Sequence, residues 1–333
     1  MSEVKVSAKR DYSQIGFIYT IFSVTVTIVQ LILSVILQLA AKGTVSIDLE
    51  IVLNSGTLYV VGMVVLAIGF KRLPFTITPI EKHRMGVKEI LKAVCMSYAL
   101  LIISNLIGTF ITTVIGIIKG SPIINPVEEI ALNMSVPVMF AVTVVCAPIF
   151  EELFFRKFII DRVVKYGEWV AVAVSGIMFG LFHGNLSQLP YALTIGVFFG
   201  IIYVRTGHIG YSILLHAVMN FFGSVASVVV LKCLDMDMYM NILNSITDQE
   251  MLASITGESA LGFLILIAYE VLVLIIVIIG IILWILEGKK LFFKVQDEEL
   301  PKTDRVITAF SGRGMIAYCI FWLVMIILAT IQS

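Results

Sequence analysis

The sequence predicts an all-α fold, a polytopic transmembrane helical bundle of about eight to nine spans, and three observations predict it. The 333 residues are 59% hydrophobic and only 14% charged, with a mean hydropathy of +1.03, whereas a soluble protein carries about 25% charged residues. Apolar runs of roughly 20 residues, the length that crosses a ~30 Å hydrocarbon core, recur along the whole chain. The basic residues gather in alternate connecting segments, as they do when cytoplasmic loops alternate with outer ones. This composition excludes an ordinary soluble domain and a disordered chain. The 23 basic and 23 acidic residues give a formal net charge of zero, so nothing draws the whole chain to nucleic acid, and none is expected as a partner.

The elements follow in order. Residues 1–14 form a cytoplasmic amino terminus, and a single transmembrane domain covers 15–331. Clear spans lie at 15–41, 51–70, 90–118, 209–231, 261–286 and 314–331, each bounded by charged residues, Gly or Pro. The first run is too long for a signal-peptide core and no small-residue cleavage site follows it, so it stays as the first span. Between 136 and 206 the chain is apolar but interrupted by Glu151, Glu152, Arg156, His183 and Pro190, which gives three helices at about 136–165, 169–184 and 189–205. With the amino terminus inside, the inner segments hold 20 Lys and Arg, and the outer ones only Lys42, Lys119 and Lys232. That asymmetry places the amino terminus in the cytoplasm and the carboxyl terminus outside.

The segment 232–260 is an acidic, Met-rich outer loop, in which Thr247 to Glu250 has the spacing of a helix capping box. The segment 287–313 is basic and suits anionic lipid headgroups. Cys95, Cys146, Cys233 and Cys319 stand far apart, so neither a disulfide framework nor a cysteine metal site is expected. Gly176/Gly180 and Gly196/Gly200 have the four-residue spacing that lets helices pack closely.

Ionisable groups at membrane depth cost about 2.5–3.5 kcal/mol each on insertion scales, so each needs a partner or a task. Here they cluster in Glu151-Glu152-Leu153-Phe154-Phe155-Arg156, in Phe179 to His183, and in His216 to Asn220. Residues four apart share a helix face, while adjacent ones diverge by about 100°. Glu152 therefore pairs with Arg156 as a structural ion pair, and Glu151 is left chemically available. Phe179 with His183, and His216 with Asn220, face one way in the same manner. At a rise of ~1.5 Å per residue, Glu151 and His183 both lie ~20 Å from the cytoplasmic turn near 165–168, and Asn220 ~18 Å from His208. Three polar faces thus converge on one layer open to the cytoplasmic side.

The ordered motifs E-E-x-x-x-R, F-x-x-x-H and H-x-x-x-N within residues 136–225 resemble those of the CAAX protease and bacteriocin-processing (CPBP/Abi) family, intramembrane endopeptidases related to the Ras-converting CAAX endoproteases. The resemblance implies a peptide hydrolase acting on membrane-associated or lipidated peptides or proteins. It implies that Glu151 and His183 hold and deprotonate a water, that His216 and Asn220 donate hydrogen bonds to the oxyanion, and that Glu152, Arg156 and Phe179 support the site. A metal-dependent version, with zinc on Glu151, His183 and His216, uses the same residues. The metal-free version, with no cofactor, is preferred because there is no H-E-x-x-H motif and a Glu/His pair suffices. A catalytically silent immunity or scaffold protein is the alternative, and a proton-coupled transporter using Glu151, His183 and Glu270 is a weaker one. Glu270, alone in its helix, reads as an internally paired residue. His208 reads as an interfacial loop residue, and His83 belongs to a basic loop. The expected location is a bacterial plasma membrane. Substrate and oligomeric state are not specified by the sequence.

Overall fold

The runs that hydropathy marks as spans are helices in the computed structural model, which describes residues 3–41, 45–123, 125–234, 258–288, 293–296 and 298–333. In chain order the helices are α1 (Glu3–Ala40), α2 (Ile47–Arg72), α3 (Val87–Lys119), α4 (Pro126–Asn133), α5 (Val136–Tyr166), α6 (Glu168–Phe182), α7 (Leu189–Thr206), α8 (Ile209–Lys232), α9 (Glu258–Glu287), α10 (Lys302–Phe310) and α11 (Arg313–Gln332). The described residues contain no strand. Eight of these helices are long and apolar enough to cross a bilayer. The exception among the nine expected spans is α6, whose 15 residues at ~1.5 Å each reach only ~22 Å. It enters the bundle and stops there, with His183 as its last cap.

Local signals set the helix ends. Ser46 caps α2, its hydroxyl accepting from Leu49 N at 3.3 Å, and Asp48 and Glu50 place negative charge in the first turn. Pro190 opens α7 and Gly207 closes it in a left-handed conformation (φ 62°). A Cβ at Gly207 would also lie 2.5 Å from the Glu81 carbonyl, so no other residue fits this crossing.

Two departures from the sequence reading concern segments taken as polar. The helix α1 begins at Glu3 rather than near residue 15, because Asp11 and Tyr12 are buried and Tyr166 donates to Asp11 Oδ2 at 2.7 Å. The amphipathic α10 lies in the basic 287–313 segment, packed against α1 and α6. The segment before it is pinned to the start of α6: Lys294 N and Gln296 Nε2 donate to Glu168 at 2.7 and 2.9 Å, and Leu300 N donates to Tyr166 O at 3.1 Å. Most of the outer loop 232–260, including the capping box at 247–250, lies outside the described residues.

The basic connecting segments come together at one end of the bundle. His83 N donates to Thr206 O, Thr78 N to Asp161 O, and Lys92 pairs with Glu287. At the other end Ser135 N donates to Asp48 and Lys232 to Met134 O. The main core joins α1, α2, α5, α6 and α11 around Tyr19, Phe22, Phe154, Phe155 and Tyr318. The helices α6 and α7 are in close contact at the paired glycines: a Cβ on Gly176 would lie 2.5 Å from the Val197 side chain, and one on Gly180 would lie 2.8 Å from Leu193. Four stretches wind as π-helix, at Thr57–Val61, Phe140–Cys146, Leu153–Ile160 and Phe221–Ala226. Such turns often accompany functional sites, and three of these adjoin the motif residues.

Candidate active site

The helix α5 carries Glu151, Glu152 and Arg156. Glu152 Oε2 lies 3.1 Å from Arg156 Nε with both side chains fully buried, the four-residue pair that the sequence predicts. The guanidinium has further company: Nη2 donates to Gly196 O at 3.3 Å, and the group lies 4.3 Å over the Phe179 ring and 5.8 Å from that of Phe199. A buried ion pair depends on such contacts to its remaining atoms, and here they are partial, since Arg156 Nη1 has no hydrogen-bond partner among the described residues.

The other oxygen of Glu152 meets α8. His216 Nδ1 lies 2.9 Å from Glu152 Oε1, while His216 Nε2 lies 3.8 Å from Glu151 Oε2. The first distance is a hydrogen bond and the second is too long for one. Glu152 is thus held on both sides, by Arg156 and by His216. Glu151 makes no hydrogen bond among the described residues, and it faces the far nitrogen of His216 at 3.8 Å. The sequence separates the two glutamates by direction alone; the structure separates them by what each touches.

His183 stands where α6 ends. His183 N turns to Gly180 O at 3.3 Å, which leaves the Phe179 carbonyl without its helical donor, and His183 Nδ1 lies 2.9 Å from that carbonyl. A carbonyl only accepts, so Nδ1 carries the proton and Nε2 presents its lone pair. Gly184, at φ 66°, makes the turn that stops the helix there. The Phe179 ring packs edge-on to His183 at 4.8 Å and to His216 at 5.9 Å, so one aromatic ring spaces the two imidazoles.

Asn220, one turn beyond His216, donates through Nδ2 to Thr143 O at 2.7 Å, in the π turn of α5. Thr143 Oγ1 and Ser224 Oγ, on the two facing π turns, lie 3.0 Å apart. The structure therefore gathers Glu151, Glu152, Arg156, Phe179, His183 and His216 into one cluster and ties Asn220 to its edge. His216 Nδ1 serves Glu152 and one Asn220 N–H serves Thr143, which leaves His216 Nε2 and the second N–H of Asn220 uncommitted among the described residues.

Among the described residues no group of three His, Cys, Asp or Glu side chains is arranged to hold a metal ion. Glu270 lies on the exposed face of α9 and makes no ion pair or hydrogen bond among the described residues. All four cysteines are free. Sequence reasoning missed Phe199, whose ring packs at a tilt 5.6 Å from that of His216, and the carbonyls of Gly196 and Thr143. Phe199 carries no distinguishing signal among 21 phenylalanines.

Residues 133–222 match the family described as type II CAAX prenyl endopeptidase, Rce1-like. The resemblance carried by the three motifs is thereby borne out: this stretch bears the family's signature. Two curated bacterial proteins are similar over the same order of length. YdiL of Bacillus subtilis, described as a candidate membrane peptidase, is 31% identical over 150 residues, 43% of this chain and 61% of its own. MroQ of Staphylococcus aureus, described as a membrane-embedded CAAX protease, is 26% identical over 146 residues, 40% of this chain and 57% of its own. The chain thus matches about three fifths of the length of these relatives. No solved structure matches it. With its apolar helices, the chain is an integral membrane protein.

Proposed function

We propose that the chain is an intramembrane endopeptidase of the CAAX type, hydrolysing peptide bonds of membrane-associated or lipidated polypeptides with a water activated by Glu151 and His183. The observation that carries this is the inequality of the adjacent glutamates: Glu152 is committed to Arg156 and His216, and Glu151 is not. Peptide hydrolysis needs a base for the water, donors for the oxyanion and an acid for the leaving amine. Glu151 accepts the water's proton, with His183 Nε2 as the second acceptor that orients the water. The same carboxyl then returns the proton to the amine. His216 Nε2 and the second N–H of Asn220 point their protons at the oxyanion. No step passes through a metal.

The name of MroQ and the family description support a lipidated or membrane-held peptide substrate. The 20 to 3 distribution of basic residues supports a plasma membrane with the amino terminus in the cytoplasm and the site reached from that side. Comparison of membrane proteins and small peptides in cells expressing wild type, Glu151→Ala and His183→Ala at equal abundance tests the activity. At least one polypeptide stays uncleaved in both variants. Three matching profiles would overturn the proposal and leave a binding or immunity protein.

A further inference from the structure

A buried polar group outside the three motifs stands beside this site. Tyr59 lies in the π turn Thr57–Val61 of α2, 13 residues before Arg72, and Glu151 lies 15 residues before Tyr166. Both ends are on the basic side of the bundle, so at ~1.5 Å per residue the two lie at ~20 and ~22 Å, one layer. The Tyr59 ring stacks flat on Phe150, the residue next to Glu151, with centroids 4.8 Å apart and planes 9° apart. The residue is only 6% exposed.

The hydroxyl makes no hydrogen bond among the described residues. Other buried tyrosines are satisfied: Tyr19 donates to Phe154 O, Tyr203 to Asp161, and Tyr318 to Met178 O. The Tyr12 hydroxyl is also unpartnered, but it is sealed in protein, whereas that of Tyr59 is not. A hydroxyl on a buried ring, itself not sealed in protein and without a partner among the described residues, is free to serve a group that enters the site. The site has a use for it, because His216 Nδ1 and one N–H of Asn220 are spent on Glu152 and Thr143. A phenol is a neutral donor on a rigid ring, and here the ring is fixed by the Phe150 stack.

We propose that Tyr59 is a further catalytic residue, its phenol donating a hydrogen bond to the carbonyl oxygen of the scissile bond as that oxygen becomes an oxyanion. This rests on Glu151 as the base of the hydrolysis. The test measures initial cleavage rates in isolated membranes, at a site defined by its loss in E151Q, for wild type, E151Q, Y59F and F150L. Y59F lowers the rate constant by about 10²- to 10³-fold, the effect of losing one oxyanion donor, with unchanged KM and wild-type melting temperature. F150L, which keeps the hydroxyl and weakens the stack, loses far less. Cleavage by Y59F at the wild-type rate, with E151Q inactive, overturns the role of Tyr59 alone. A Y59F protein that fails to fold, or an F150L rate as low as that of Y59F, makes Tyr59 a packing group and overturns it too. An active E151Q overturns the hydrolytic reading and this inference with it.

Discussion

The helices α7 and α9 can both cross a bilayer, but they are held by opposite means. The most apolar stretch of α9 has mean hydropathy 3.1 and only 11% of its residues buried in protein, whereas that of α7 has 1.4 and 56%. Outward isoleucines such as Ile275, Ile278 and Ile282 give α9 to the lipid. It is fixed to α3 by a close approach at Gly280 and by Trp284 Nε1 donating to Met96 O at 3.0 Å. In α7 the carbonyl of Gly196 accepts from Arg156, and the Phe199 ring packs at a tilt against His216. The polar cluster, carried by α5, α6 and α8, thus packs against the span whose hydropathy is lowest and protein burial highest. Dispersion against lipid makes a span, but only protein contacts place a buried charge.

That contrast can be broken by substitution. Arg156→Ala leaves Glu152 buried beside His216 alone, and removing one partner of a buried ion pair costs about 3–5 kcal/mol. Thermal unfolding in lipid or detergent should show the largest loss of any single change here. Gly176→Leu forces a side chain into Val197 where a Cβ already lies 2.8 Å from its backbone nitrogen, and overpacking of this kind costs about 1–3 kcal/mol. Gly210→Ala, where a Cβ meets nothing within 4 Å, is its control and should melt as wild type. At the small end, Ile278→Leu on the lipid face of α9 should change stability by no more than about 0.5 kcal/mol. A large effect there would mean that this face is covered by protein.

How much the sequence discloses follows the same division. Spans are legible because hydropathy acts residue by residue, and the Glu152–Arg156 pair is legible because its four-residue spacing fixes it within one helix. The start of α1 is not legible: Lys5, Lys9, Arg10 and Asp11 read as a polar tail, and only the distant Tyr166 explains why Asp11 is buried. The same holds for His216, whose motif places it on a polar face but cannot show that α8 hands its Nδ1 to Glu152. The early stop of α6 depends on Gly184, one glycine among 24. The π turns at 57–61 and 140–146 carry no sequence mark, so Tyr59 and the Thr143 carbonyl come into view only in three dimensions.

The central claim is that two adjacent carboxylates do different work, and one paired measurement tests it: cleavage rate and melting temperature of Glu151→Gln and Glu152→Gln in the same membranes. Glu151→Gln should abolish cleavage while melting as wild type, and Glu152→Gln should lower the melting temperature because Arg156 is left buried without its counter-charge. Cleavage retained by Glu151→Gln, or a Glu152→Gln protein as stable as wild type, would contradict it.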